Sequence, residues 1–107
     1  MSPTARSLKL IKSRGFICDI VERRKGPVAV DLFGMWDLLG VHPETGETLA
    51  VQTTAGLNNM WARVRKIELD ENAEALAACR ACNWTLHVHG WRKLKKSGWT
   101  CKEIDLS

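Results

Sequence analysis

Gly34-Met35-Trp36-Asp37-Leu38-Leu39-Gly40-Val41, then a polar turn, then Leu49-Ala50-Val51-Gln52-Thr53-Thr54: this stretch decides the fold. His42-Pro43-Glu44-Thr45-Gly46-Glu47 between them carries the proline, glycine and polar residues that reverse a chain. Two strands joined by such a turn form an antiparallel hairpin. A turn centred on Glu44-Thr45 sets Asp37 opposite Gln52. Directly opposed residues point to one face, with Cβ atoms roughly 4.5–5.5 Å apart. Thr54, two residues on, shares that face. A carboxylate, an amide and a hydroxyl are thus expected side by side at one end of a hairpin. The apolar positions of Thr48 to Thr54 are consecutive, the pattern of a strand buried on both faces.

Working outward, Ser2 or Thr4 can cap a first helix with Pro3 in its first turn. Leu8, Leu10 and Ile11 make its apolar stripe, Arg6, Lys9, Lys12 and Arg14 its exposed face, and Gly15 its stop. Phe16 to Glu22 alternates as a strand. Arg23-Arg24-Lys25-Gly26-Pro27 reads as a basic turn, and Val28 to Val41 as one long strand or two short ones bent at Gly34. Asn58 to Cys82 reads as helical, with a break and a new cap near Asp70. Trp84 to Trp91 is a strand, Arg92 to Gly98 a basic turn, and Trp99 to Leu106 the last strand. The expectation is a single small α/β domain over residues 1–107. Its order is α-β-β-β-α-β-β, with a mixed central sheet flanked by helices.

Composition narrows the function classes. Hydrophobic residues at 45% and charged residues at 26% belong to a globular chain, which excludes disorder. The formal net charge is +4 and the isoelectric point about 9.1, so anionic partners such as nucleic acid are favoured. There is no apolar run of membrane-spanning length and no export signal, which points to a cytoplasmic protein and no membrane partner. Cys18, Cys79, Cys82 and Cys101 are then expected as reduced thiols. Cys79 and Cys82 form a CxxC, and His87 and His89 follow on one strand face. Zinc-finger spacing is absent, and buried thiols are the better reading of the pair.

The motif Gly-x-x-Asp-Leu-Leu-x-Val, turn, apolar strand resembles the PD-(D/E)XK (restriction-endonuclease-like) nuclease superfamily, close to Holliday junction resolvase-like and virus-type replication-repair nuclease domains. The element order matches over nearly the whole chain. The resemblance implies a restriction-endonuclease-like domain acting on DNA, with Mg²⁺ or Mn²⁺ as cofactor. Asp37 then takes the place of the first metal-binding acid, Gln52 that of the second, and Thr54 that of the lysine. A glutamine carbonyl can ligate Mg²⁺ without bringing charge. Thr54 offers no cation, and Arg6, Lys12, Arg63 or Lys66 could supply one. Asp19, Glu22 and Asp31 are the nearby acids that could complete a metal site. Asp37, Gln52 and Thr54 are the expected catalytic group, with Asp37 and Gln52 holding metal.

Basic residues recur beside tryptophans. Arg23, Arg24, Lys25, Arg63, Lys66, Trp91, Arg92 and Lys93 are the expected nucleic-acid contacts, through phosphate pairing and base stacking. Trp36 and Trp84, inside strands, are expected in the core. The expected activity is phosphodiester hydrolysis, with a homodimer plausible for cutting two strands. The competing expectation is a nucleic-acid-binding module that keeps the fold and has lost the chemistry.

Overall fold

The computed structural model describes residues 1–107. The elements are α1 (Pro3–Ser13), β1 (Ile17–Ile20), β2 (Arg23–Lys25), β3 (Val28–Val30), β4 (Leu38–Val41), β5 (Thr48–Ala55), α2 (Leu57–Ile67), a 3₁₀ turn (Asp70–Asn72), α3 (Ala73–Ala81), β6 (Thr85–Leu94) and β7 (Gly98–Asp105). Five strands form one mixed sheet in the order β1-β4-β5-β6-β7. Only β5 and β6 run parallel. A parallel pair needs a crossover of a dozen or more residues, and α2 and α3 supply it. The expected order, α-β-β-β-α-β-β, is therefore that of the main sheet and its helices. The hairpin β2–β3 is an addition to it.

From Leu38 onward the hairpin register is the expected one, while Asp37 lies just outside the paired strand, its N–H bonded to the Val51 carbonyl rather than to Gln52. Leu38 pairs with Val51 and Leu39 with Ala50. The break near Asp70 is also present, but Asp70 does not cap the second helix: it opens a 3₁₀ turn, and Asn72 precedes the helix without a side-chain capping bond. The helix at the start is capped as expected: Ser2 Oγ accepts from the Ala5 N–H, Pro3 opens the helix, and Gly15 at φ +94° ends it.

Three boundaries differ. Val28 to Val41 is two short strands, the second of the expected forms, but the chain makes a full reversal between β3 and β4 rather than a bend at Gly34. The Leu32 N–H donates to the Trp36 carbonyl, and the Gly34 N–H to the Asp31 carbonyl. Phe33 at φ +56° and Gly34 at φ +72° both sit in the left-handed region that a tight reversal demands. Arg23-Arg24-Lys25 is a strand rather than a turn, paired with Val28–Val30. The turn is Gly26-Pro27 alone. Likewise β6 runs on through Arg92 and Lys93 to Leu94, so the second basic turn is shorter than the sequence suggests.

Each face of the sheet buries its own cluster. Under α1 lie Ile11, Cys18, Leu38, Leu49 and Val51. Under α2 and α3 lie Met35, Trp36, Ala50, Met60, Val64, Ile67, Leu76, Cys79, Leu86 and Val88. Alternate residues of β5 serve the two clusters, which is why its apolar positions are consecutive. Full burial of each large apolar side chain is worth about 1.5–3 kcal/mol. Trp36 is fully buried and Trp84 packs partly buried against the same cluster, as expected of strand-associated tryptophans.

Candidate functional site

A cleft of about 410 Å³ opens where β4 begins and β5 ends. Its floor is Asp37 with Gln52, Thr53 and Thr54. Glu22 and Asp31 form one wall, Arg63 and Lys66 of α2 another, and the start of α1 closes it with Thr4. The chain path explains the grouping. Glu22 follows β1, the β2–β3 hairpin returns the chain to Asp31, and the Leu32–Trp36 reversal delivers Asp37. The Asp37 N–H donates to Val51 O at 2.9 Å, and the Val21 N–H to Asp37 O at 2.8 Å, pinning that residue between β1 and β5.

Carboxylate oxygens of Glu22, Asp31 and Asp37 lie within 4.8 Å of one another. Asp37 is 5% exposed. Its Oδ2 accepts from the Thr53 N–H at 2.8 Å and from the Thr53 hydroxyl at 3.2 Å. Burial, and then the Asp31 carboxylate beside it, push its pKa from the usual 3.8 up to about 7. The bonds from Thr53 act the other way and are outweighed. Burial beside a second carboxylate thus keeps Asp37 protonated up to near neutrality.

Gln52 is buried and engaged. Its Nε2 donates to Asp31 Oδ2 at 2.9 Å and to Met35 O at 2.6 Å. Its amide therefore orients Asp31 against the cleft, while its carbonyl oxygen makes no hydrogen bond to the protein. Lys66 Nζ stands 3.9 Å from Asp31 Oδ2. Of the four cations that could replace a strand lysine, Arg63 and Lys66 reach the cleft. Arg6 instead lies over the Trp99 ring at 4.0 Å from its centroid, and Lys12 is on the exposed side of α1. Of the acids that could complete the site, Glu22 and Asp31 are present. Asp19 is turned outward, its Oδ1 bonded to the Ile20 N–H.

Thr54 lines the cleft as its parity predicts. Thr53, of opposite parity, was not legible as a site residue. It contacts Asp37 because Asp37 lies outside β4, its N–H bonded to the Val51 carbonyl and its carboxylate to the Thr53 N–H and hydroxyl. Thr53 Oγ1 also pairs with Thr4 Oγ1 at 2.8 Å, tying α1 to the cleft floor.

The expected nucleic-acid contacts divide. Arg23, Arg24 and Lys25 are exposed on the small hairpin above the cleft, and Arg92 and Lys93 are exposed near the β6–β7 turn. Trp91 is placed inside: it is 8% exposed and its Nε1 donates to Ser7 Oγ at 2.8 Å. Although Arg92 and Lys93 follow it, β6 continues past Trp91 and its side chain falls on the α1 face. Trp61 and Trp99 are the exposed rings, at 48% and 44%.

Cys79 and Cys82 belong to α3, on one side of the sheet, and His87 and His89 face α1 on the other. The four do not converge; of the two thiols expected to be buried, Cys79 is buried in α3, whereas Cys82, the residue that caps the helix, is exposed. No helix is long and apolar enough to cross a membrane. No family model, curated protein or solved structure matches the chain.

Proposed function

We propose that the chain is a metal-dependent nuclease of the PD-(D/E)XK kind, hydrolysing phosphodiester bonds in DNA. The observation that carries this reading is the convergence of Glu22, Asp31 and Asp37, from three separate segments, on one basic-walled cleft. The donor set suits a hard divalent cation such as Mg²⁺ or Mn²⁺, since all its ligands are oxygens. Glu22, Asp31 and Asp37 would hold it, with the Gln52 carbonyl oxygen as a neutral addition. When bound, such a cation would lower the pKa of a water and screen the phosphate.

The rest of the chemistry belongs to the chain. Thr53 orients Asp37, and Gln52 orients Asp31, so the carboxylates are held before any ligand arrives. Lys66 takes the part that the family gives to a strand lysine. Its ammonium, at the edge of the acids, stabilises the extra negative charge of a phosphate under attack. Arg63 on the same wall pairs with a neighbouring phosphate. The Arg23-Arg24-Lys25 hairpin adds phosphate contacts over the cleft. The Asp, Gln and Thr of the motif thus divide their roles: Asp37 holds metal, Gln52 positions an acid, and Thr54 offers a hydroxyl to water or phosphate.

The test is cleavage of labelled duplex, single-stranded and four-way-junction DNA with Mg²⁺ or Mn²⁺. Wild type is expected to cut at least one of these, and Asp37→Ala none. If no substrate is cut while salt-sensitive binding is intact in both proteins, the chain is a binding module without the activity.

A further inference from the structure

We propose that His87, His89 and Glu103 form a binding site for one divalent transition-metal ion of the zinc class, on the α1 face of the sheet. The site shares no residue with the acidic cleft and does not depend on the nuclease reading. His87 and His89 stand two apart on β6, so both imidazoles face the same way. The antiparallel register sets Glu103 opposite His89 and Asp105 opposite His87.

The distances suit an ion. His89 Nε2 lies 3.2 Å from Glu103 Oε1, and His87 Nδ1 lies 3.8 Å from the same oxygen. All three ligand atoms are within 4.8 Å of one another. Bonds of about 2.0–2.2 Å to a tetrahedral ion put neighbouring ligands roughly 3.3–3.6 Å apart. Small side-chain rotations close the remaining gap. Two histidines and one carboxylate are three ligands, which leaves a fourth position for solvent. Nitrogen donors select zinc-like ions over Mg²⁺.

The side chains are arranged around something the protein does not itself supply. His89 is fully buried, yet its Nε2 has no hydrogen-bond partner, and Glu103 Oε1 stands 3.2 Å from it. His87 Nδ1 is likewise buried without a partner. Buried polar atoms are almost always satisfied, so two such nitrogens around one carboxylate oxygen call for a common ligand. The other nitrogen of His89, Nδ1, lies 2.8 Å from Ser7 Oγ, which also accepts from Trp91 Nε1. With its proton on Nδ1 donated to Ser7, His89 presents a free lone pair at Nε2. Metal-bound histidines are oriented by such outer contacts. Arg14 forks onto Glu103 at 2.6 and 3.0 Å and fixes its carboxylate. A carboxylate has about four lone-pair sites, enough for both the guanidinium and an ion. Ligands from β6 and β7, oriented by Ser7 and Arg14, make the ion a fastener between the sheet edge and α1.

The experiment is Zn²⁺ titration of the full chain, stripped with EDTA and held in excess Mg²⁺ to fill any oxygen site. His87→Gln, Glu103→Gln, Cys79→Ser and Cys82→Ser are titrated alongside, and Co²⁺ spectra are taken of wild type. One Zn²⁺ per chain is expected. His87→Gln and Glu103→Gln are each expected to weaken it roughly tenfold or more, and both cysteine variants to leave it unchanged. The Co²⁺ protein should show ligand-field bands without thiolate charge transfer. The site is refuted if wild type retains no Zn²⁺, if both ligand variants bind as wild type does, or if a cysteine variant abolishes binding. Should a ligand variant fail to fold, the wild-type Co²⁺ spectrum decides: thiolate charge transfer, or no bound Co²⁺, overturns the proposal.

Discussion

Replacing Asp37 by asparagine should stabilise the metal-free protein above neutral pH while destroying its response to metal. Asparagine keeps the shape of the side chain. Its carbonyl can accept from the Thr53 N–H, and its amide can donate to Asp31, as a protonated aspartate would. What it removes is a buried negative charge. In the wild type that charge is resisted by burial and by Asp31, which push Asp37 from 3.8 up to about 7. A carboxyl raised in the folded state contributes stability that is whole below its unfolded value, near 3.8, and is lost as pH rises through about 7. At ~1.4 kcal/mol per pH unit, the gap sets a ceiling of about 4 kcal/mol. Asp31 retains some contact with water and Lys66 stands 3.9 Å from it, so charge on this wall is partly screened. A gain of about 1–3 kcal/mol at pH 8 is the working figure. For a domain of this size that is a rise in Tm of roughly 5–15 °C. Thermal melts in EDTA at pH 4 and pH 8 provide the assay, repeated at pH 8 with Mn²⁺. Wild type and Asp37→Asn should nearly coincide at pH 4 and separate at pH 8. Mn²⁺ should restore the wild type by mass action and leave the variant unmoved. A variant less stable than wild type at pH 8 in EDTA, or one that Mn²⁺ stabilises as much as wild type, refutes the reasoning.

Other substitutions probe other parts of the site. Lys66→Met should lower single-turnover cleavage by about 10²-fold, the usual loss for one charge-stabilising group, with Lys66→Arg retaining more; the melt should barely move, since the side chain is 44% exposed. Changing Arg23, Arg24 and Lys25 together to serine should weaken DNA binding and lower the slope of log affinity against log salt by about 2–3, measured by fluorescence anisotropy. Trp91→Phe should cost about 1–2 kcal/mol of stability through the lost bond to Ser7, with DNA affinity unchanged, whereas Trp61→Ala should leave the melt intact. Gly90→Ala should destabilise by about 1–3 kcal/mol in chemical denaturation, because the new Cβ falls 2.6 Å from Met60 Sδ and 3.1 Å from its Cβ.

The hairpin and its register were legible because they rest on local chemistry: an apolar run on each side of a turn rich in proline, glycine and polar residues. Asp37 could be picked out for the same reason. The reversal from Leu32 to Trp36 was not, since Phe33 carries no mark of a residue that adopts a left-handed conformation. That reversal brings Asp31 back beside Asp37, so Glu22 and Asp31 could be named as nearby acids but not placed together. The strand of Arg23-Arg24-Lys25 was hidden by composition, because three long cations in a row suit a solvated turn as well as an exposed edge. Trp91 was misread from its neighbours along the chain. Its true partner, Ser7, is on a helix 84 positions away, a contact that no local pattern announces. Strand parity assigns Thr53 to the other face, and parity does not bind Asp37, which precedes β4.

The most direct test of a three-carboxylate metal site is single-turnover DNA cleavage across a Mn²⁺ titration, comparing wild type with Glu22→Gln, Asp31→Asn and Asp37→Asn. A shared cation predicts that each variant needs far more Mn²⁺ and cuts at least about 10²-fold more slowly at saturation. Cleavage that survives the loss of both Asp31 and Asp37, or that proceeds equally in EDTA, would contradict it.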